Sequence, residues 1–260
     1  MPTDSKVIAV IPARWASSRF PGNPLALIKG KPMVQWVFEQ ASKAKSISEV
    51  IVATDDNRIL EAVNGFGGNA VMTSADHESG TDRIAEVVRD RECEVVVNVQ
   101  GDEPLIAPEN IDRVVRPLLE NAIESTVTLR ILIKSCEELM DRNVTKVVVD
   151  NSNSALYFSK APIPWDRDKW GGDSIEYSSF DPLKSFWYKH IGLYAYRKKF
   201  LMGFGSLPDS GLEKIEKLEQ LRILEGGFKI KVVETNIDSI GVDCEADLAI
   251  IEKHLAAVLP

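Results

Sequence analysis

Three short stretches of this 260-residue chain hold residues whose types and spacing suit phosphate and divalent-cation chemistry. In "IPARWASSRFPGNPL", residues 11–25, Arg14 and Arg19 bracket a run of small residues. The backbone amides of Ala16, Ser17 and Ser18 can cradle a phosphate there, with the guanidinium groups adding charge-assisted hydrogen bonds. The stretch matches neither G-x-G-x-x-G nor G-x-x-x-x-G-K-[ST], so neither a dinucleotide fingerprint nor a P-loop is supported. In "VNVQGDEP", residues 97–104, Asp102 follows a valine-rich strand, and Gly101 lets the backbone approach closely. In "DSIGVDCEADL", residues 238–248, Asp243 stands at another strand-to-helix boundary. Two carboxylates from separate loops make a magnesium site that keeps waters and takes substrate phosphates. The plainer reading gives Asp102 or Glu103 to a turn or to the cap of a helix starting at 108. It gives Asp243 or Glu245 to the cap of the last helix.

Two further stretches carry polar residues at such boundaries. "HESGTDR", residues 77–83, sets Ser79 and Gly80 before a helix containing Arg83, with Thr81 as its expected N-cap and His77 as a solvated histidine. "PWDRD" offers Arg167, whose planar fork matches a carboxylate. In "WYKHIGLYAY", residues 187–196, alternation puts His190, Gly192, Tyr194 and Tyr196 on one strand face and Lys189, Ile191, Leu193 and Ala195 on the other. The first of these faces is read as a cleft wall, with ordinary aromatic packing as the alternative.

The elements that must position these residues follow from periodicity. Apolar runs at 7–13, 49–54, 69–73 and 94–100 alternate with amphipathic stretches near 32–45, 57–65, 81–91 and 108–120. Strand, helix, strand, helix is the rhythm of a doubly wound parallel sheet, in which ligands sit beyond the carboxyl ends of the strands. From about 125 the segments "STVTLRILI", "TKVVVD" and "SALYFSK" are β-branched, and antiparallel pairing is expected. A long Pro- and aromatic-rich loop over 161–186 reads as functional or interfacial. "LEKIEKLEQLRILEGG" reads as one helix with Leu212, Ile215, Leu218 and Leu221 on a face, and "KIKVVET" and "EADLAIIEKHLAAV" as a closing strand and helix.

Composition narrows the function class. With 39 acidic and 31 basic residues the formal charge is -8, which argues against broad attraction to nucleic acid or anionic membranes, so a phosphate must be met by local arginines. Cys93, Cys136 and Cys244 are too few and too scattered for a disulfide framework or structural zinc. "VIAVIPA" is too short to span a membrane and lacks a signal-peptide pattern, so the expected location is cytoplasmic.

Taken in order, "IPARWASSRFPGNPL", "GKPM", "IVATDD", "SGTDR", "VNVQGDEP", "ALYFSKAPIPWDRD", "KHIGLYAY", "IEKLEQLR" and "GVD" closely resemble the 3-deoxy-manno-octulosonate (Kdo) cytidylyltransferase, or CMP-Kdo synthetase, family over residues 7 to about 250. The resemblance implies a Rossmann-like nucleotidyltransferase fold: α/β, with a mixed, mostly parallel sheet. A smaller inserted antiparallel lobe at approximately 125–210 would serve sugar binding and dimerisation in a homodimer. It also implies magnesium-dependent cytidylyl transfer from CTP to Kdo for lipopolysaccharide assembly. Carried over by position, Arg14, Ser17 and Arg19 meet the triphosphate, and Thr54, Asp55, Ser79, Gly80 and Arg83 line the nucleotide side. Asp102 and Asp243 hold magnesium. Gln100, shared between nucleotide and sugar, joins Arg167, His190, Tyr194, Glu219 and Gln220 as sugar-acid contacts. Asn23 stands where the family usually carries a lysine. The alternatives are the same reaction on the 8-amino analogue of Kdo, a nucleotide-binding relative that has lost turnover, and a nicotinamide oxidoreductase, which the missing G-x-G-x-x-G disfavours.

Overall fold

The valines and isoleucines of "VIAVIPA" explain why this segment becomes the centre of the molecule: β1 (Val7–Ala13) is apolar at every position and buried on both faces. The structure is a computed structural model and describes residues 6–16, 20–77, 79–170 and 186–258. A small ribbon of β2 (Leu27–Ile28) and β3 (Lys31–Pro32) leads into α1 (Met33–Ala41). Then β4 (Glu49–Thr54), α2 (Asn57–Gly65), β5 (Ala70–Met72), α3 (Gly80–Val88), β6 (Val95–Asn98) and α4 (Pro108–Glu120) alternate as the periodicity requires. Next come β7 (Thr126–Leu132), α5 (Cys136–Met140), β8 (Lys146–Val149), β9 (Ala155–Ser159) and the four-residue α6 (Arg167–Trp170). The long β10 (Tyr188–Arg197) is followed by α7 (Lys198–Gly203), α8 (Gly211–Glu216), α9 (Gln220–Glu225), β11 (Lys231–Glu234) and α10 (Glu245–Val258).

The main sheet runs β11-β7-β10-β6-β1-β4-β5. β1 pairs in parallel with β4 and β6, β4 with β5, and β7 with β11, whereas β10 runs antiparallel between β6 and β7. The sheet is therefore mostly parallel with one reversed strand. The expected antiparallel pairing is seen in the β8–β9 hairpin, which joins the sheet where Lys146 and Val147 face Lys189 and Tyr188 of β10. Strands β7 and β10, also within 125–210, belong to the central sheet.

Alternate residues of the central strands feed two cores. Val95 and Val97 pack with α1, α2 and α4, while Val96 packs with α3, α7 and α9. A third cluster, including Ile28, Met33, Val242 and Ile251, seats α10 against α1, and a small fourth one gathers Ile133, Leu139, Trp170 and Trp187 beside the hairpin.

One expected element breaks in two. The single helix read over "LEKIEKLEQLRILEGG" ends at Lys217, whose φ of 58° is left-handed, and restarts as α9. Ile215 is 81 % exposed, whereas Leu218 and Leu221 are buried, so the apolar residues do not share one face. Arg222 pairs with Glu213 across the break at 2.7 Å. Of the 161–186 loop, residues 171–185 lie outside the described residues. No helix among the described residues is long and apolar enough to cross a membrane.

Candidate active site

Three loops converge on the carboxyl end of β1. A Cβ on Gly101 would lie 2.7 Å from the Pro12 carbonyl, so only glycine lets the 100–102 loop sit there, and a Cβ on Gly80 would lie 3.6 Å from the Pro12 ring. Arg14 follows directly from β1, and the chain returns through Gly22, at φ +74°, whose amide donates to the Trp15 carbonyl at 2.9 Å. Ser17 and Arg19 lie outside the described residues. Asn23 opens a 3₁₀ turn over Asn23–Leu25.

The two carboxylate loops meet. Val242 N–H donates to the Asp102 carbonyl at 2.8 Å, and Ser239 Oγ donates to Glu103 at 2.6 Å. Asp102 lies in a turn, as the plainer reading allowed, and is not the cap of α4. The N-cap of α4 is Ala107, with a proline in its first turn. At α10 the capping carboxylate is Asp247, which accepts the Asp243 and Cys244 amides at 2.9 Å each. Among the described residues no three His, Cys, Asp or Glu side chains cluster as a metal cage. Asp102 and Asp243 stand on these adjoining loops, and carboxylate oxygens are the ligand type that magnesium takes together with waters and phosphates. Burial, with the Asp102 and Asp238 charges, pushes the neighbouring Glu103 carboxyl up to about 7.

Beside these loops lies a cavity of about 740 Å³, walled by β10, the α8–α9 break, the turn before β8 and the 238–241 segment. Gln100, His190, Tyr194, Glu219 and Gln220 all line it. The alternation read from the sequence therefore gave the cleft face of β10, with Tyr194 and Tyr196 stacked at 5.8 Å, while Ile191, Leu193 and Ala195 enter the opposite core. Lys189 departs from that reading: a register irregularity between Ile191 and Tyr194 accompanies its appearance in the cavity wall.

The polar groups of the wall are poised for a ligand. Thr128 Oγ lies 2.9 Å from both His190 Nε2 and the Leu193 carbonyl. With one hydroxyl proton, donated to the carbonyl, Thr128 accepts from the ring, which assigns His190 as the neutral Nε2–H tautomer with Nδ1 left as an acceptor. Burial drives the imidazole down to about 3, so it is uncharged at neutral pH. Glu219 Oε2 accepts from Thr81 at 2.8 Å, but Glu219 Oε1 and Tyr194 Oη are buried without a well-aligned hydrogen-bond partner among the described residues. Burial raises the Glu219 carboxyl above its ordinary range.

Of the residues expected on the nucleotide side, Thr54 and Arg83 are fully buried. Arg83 bonds Thr73 Oγ1 and pairs with Asp55 at 2.6 Å, while the Thr54 carbonyl accepts from Thr73 Oγ1 at 3.0 Å, so together they tie the end of β4 to α3. Ser79, not Thr81, is the N-cap of α3, accepting the Asp82 amide at 3.1 Å. His77 is paired with Glu86 rather than solvated. Arg167 is exposed on α6, outside the cavity wall.

Asn98, Lys189, Asp238 and the Asp141–Thr145 turn also line the cavity and were not singled out from the sequence. A lysine placed on the apolar side of a buried strand was the available signal, because a buried ammonium requires partners. Lys189 has two, Glu138 at 2.9 Å and Asp238 at 2.8 Å.

A cytidylyltransferase family model matches residues 8–230. The 3-deoxy-manno-octulosonate cytidylyltransferase of Geobacter metallireducens is 53% identical over 95% of this chain and 97% of its own length. The chain belongs to the 3-deoxy-manno-octulosonate cytidylyltransferase family. A solved structure of CMP:2-keto-3-deoxy-manno-octonic acid synthetase complexed with CTP superposes with a TM-score of 0.88 and 41% identity, covering 98% of this chain and 100% of that one. The 4-diphosphocytidyl-2C-methyl-D-erythritol synthase of Anaerococcus prevotii, at 17% identity and a TM-score of 0.62, shares the fold. The 8-amino sugar weighed as an alternative is not favoured, since the family relatives are named for the unmodified octulosonate.

Proposed function

We propose that this chain transfers the cytidylyl group of CTP to Kdo, releasing pyrophosphate and giving CMP-Kdo. The observation that carries the reading is the polar cavity lined by Gln100, His190, Tyr194, Glu219 and Gln220, which adjoins the Asp102 and Asp243 loops. A polyhydroxylated sugar supplies both donors and acceptors for such a wall of amide, imidazole, phenol and carboxyl groups. The relative named for Kdo and the neighbour complexed with CTP support the same assignment.

Arg14, with Ser17 and Arg19, takes the triphosphate, whose roughly four negative charges an acidic protein repels unless cations meet them locally. Asp102 and Asp243 hold magnesium, which when bound neutralises charge on the phosphoryl oxygens and lowers the pKa of the attacking hydroxyl. Gln100, whose amide lies 3.4 Å from both Asn98 Oδ1 and the Gly192 carbonyl, stands between the metal loop and the sugar cavity. The neutral His190 accepts a sugar hydroxyl, and Glu219, Gln220 and Tyr194 fix the ring so that the anomeric oxygen lines up opposite the pyrophosphate at the α-phosphorus. No covalent enzyme intermediate is required. We extend the proposal, on the resemblance, to a cytoplasmic homodimer acting in lipopolysaccharide assembly, with a 125–210 lobe serving sugar binding and dimerisation.

Phosphorus NMR of the protein with CTP, magnesium and Kdo tests the reaction. The expected result is loss of the triphosphate resonances in step with growth of pyrophosphate and one phosphodiester. Formation of free CMP or CDP instead contradicts cytidylyl transfer.

A further inference from the structure

The segment between β11 and α10 has no regular structure, yet it does two jobs: Asp238, Ser239, Ile240 and Gly241 wall the cavity, and Asp243 follows two residues later. Such a strap needs fastening, and its fastenings are specific. Asn110, fully buried on α4, donates to the Ile237 carbonyl at 3.0 Å and accepts from Thr235 at 2.6 Å. Ser239 donates to Glu103, and Val242 to the Asp102 carbonyl. A further tie is ionic: the Lys189 ammonium, with its side chain 16 % exposed, bridges Asp238 of the strap and Glu138 of α5. Removing the ammonium from this site leaves two neighbouring carboxylates without their counter-ion, so their mutual repulsion acts directly on the strap.

We propose that Lys189 is a positioning residue: through Asp238 it sets the strap that carries Asp243, so that one buried ammonium shapes both the sugar cavity and the divalent-cation site. The inference rests on the reading of Asp102 and Asp243 as the cation ligands. Lys189 touches no reacting atom in this scheme. Groups that orient metal ligands without touching the metal affect affinity by about 10–100-fold when removed. The effect of Lys189 on both subsites at once separates this role from that of a simple sugar contact.

The experiment uses manganese as a paramagnetic probe, titrated into the full chain with CTP present and Kdo absent, and read by electron paramagnetic resonance. Kinetic constants for CTP and Kdo are measured alongside at saturating magnesium. Lys189→Met is expected to weaken manganese binding by about tenfold and raise the Kdo KM by a similar factor, with the CTP KM changed less than about twofold. Lys189→Arg restores most of both effects. Asp238→Asn, which alters the half-exposed partner and spares the buried strand, shows the same paired change at smaller size. Unchanged manganese affinity in a folded Lys189→Met or in Asp238→Asn overturns the inference, as does a rise in Kdo KM alone. Asp102→Asn separates the two levels: if it binds manganese as tightly as the wild type, the cation-site reading itself fails.

Discussion

At the scale of single residues, the environment of a side chain decides its chemistry more than its type does. His190 keeps no charge at neutral pH because burial holds it down to about 3, while in the unfolded chain it titrates near 6.5. Between those values the unfolded state binds the extra proton. The neutral ring's contribution to stability is therefore complete above about pH 6.5 and is lost as the pH falls toward 3. Urea midpoints measured from pH 7 to pH 4 should fall more steeply for the wild type than for His190→Gln, and parallel curves would contradict the buried neutral assignment. Asn23 supplies a hydrogen-bond donor but no charge where the family resemblance leads one to expect a lysine. Lys31 does not substitute for it, being paired with Glu39 at 2.7 Å and stacked on Trp36. Asn23→Lys is expected to raise kcat by about tenfold, equivalent to ~1.4 kcal/mol of transition-state stabilisation, and equal or lower kcat shows that Asn23 suits this site.

At the scale of elements, the parallel half of the sheet was legible because its signals are local. Val95, Val96 and Val97 are apolar in succession, which only a strand covered on both faces explains, and each falls in the expected core. The α8–α9 break was not legible. Lys217 adopts a left-handed conformation that no lysine announces, and the pattern Leu212, Ile215, Leu218, Leu221 fits a continuous helix. What forces the break is tertiary: Glu219 and Gln220 must turn into the cavity while Glu213 and Arg222 stay paired. Lys217→Gly separates the two geometries. In a continuous helix glycine costs about 1 kcal/mol, whereas at a left-handed position it relieves about the same amount. Thermal and urea unfolding should show Lys217→Gly at least as stable as the wild type, and a clear loss would mean that the helix is continuous. The burial of Arg83 was not legible for a similar reason. An arginine beside "SGTD" reads as a ligand contact, and only the fold reveals that Asp55 and Thr73 already hold it.

At the scale of the whole molecule, a protein of formal charge -8 gathers its ligand-facing groups at one sheet edge. Pro12 at the end of β1 is the point against which the Gly80 and Gly101 loops close, and the strap carrying Asp243 is bonded to the Asp102 loop. This convergence makes the site a property of the sheet's topology, which reverses β10 between β6 and β7 and sets His190 and Tyr194 in the same cavity wall as the 238–241 strap. The central claim is cytidylyl transfer to one sugar acid in that place, and pyrophosphate release from CTP and magnesium tests it most directly. Release should require Kdo, be negligible with neuraminic acid or no sugar, and fall by at least about a hundredfold in Asp102→Asn. Release that does not depend on Kdo, or that survives Asp102→Asn at saturating magnesium, would contradict the account.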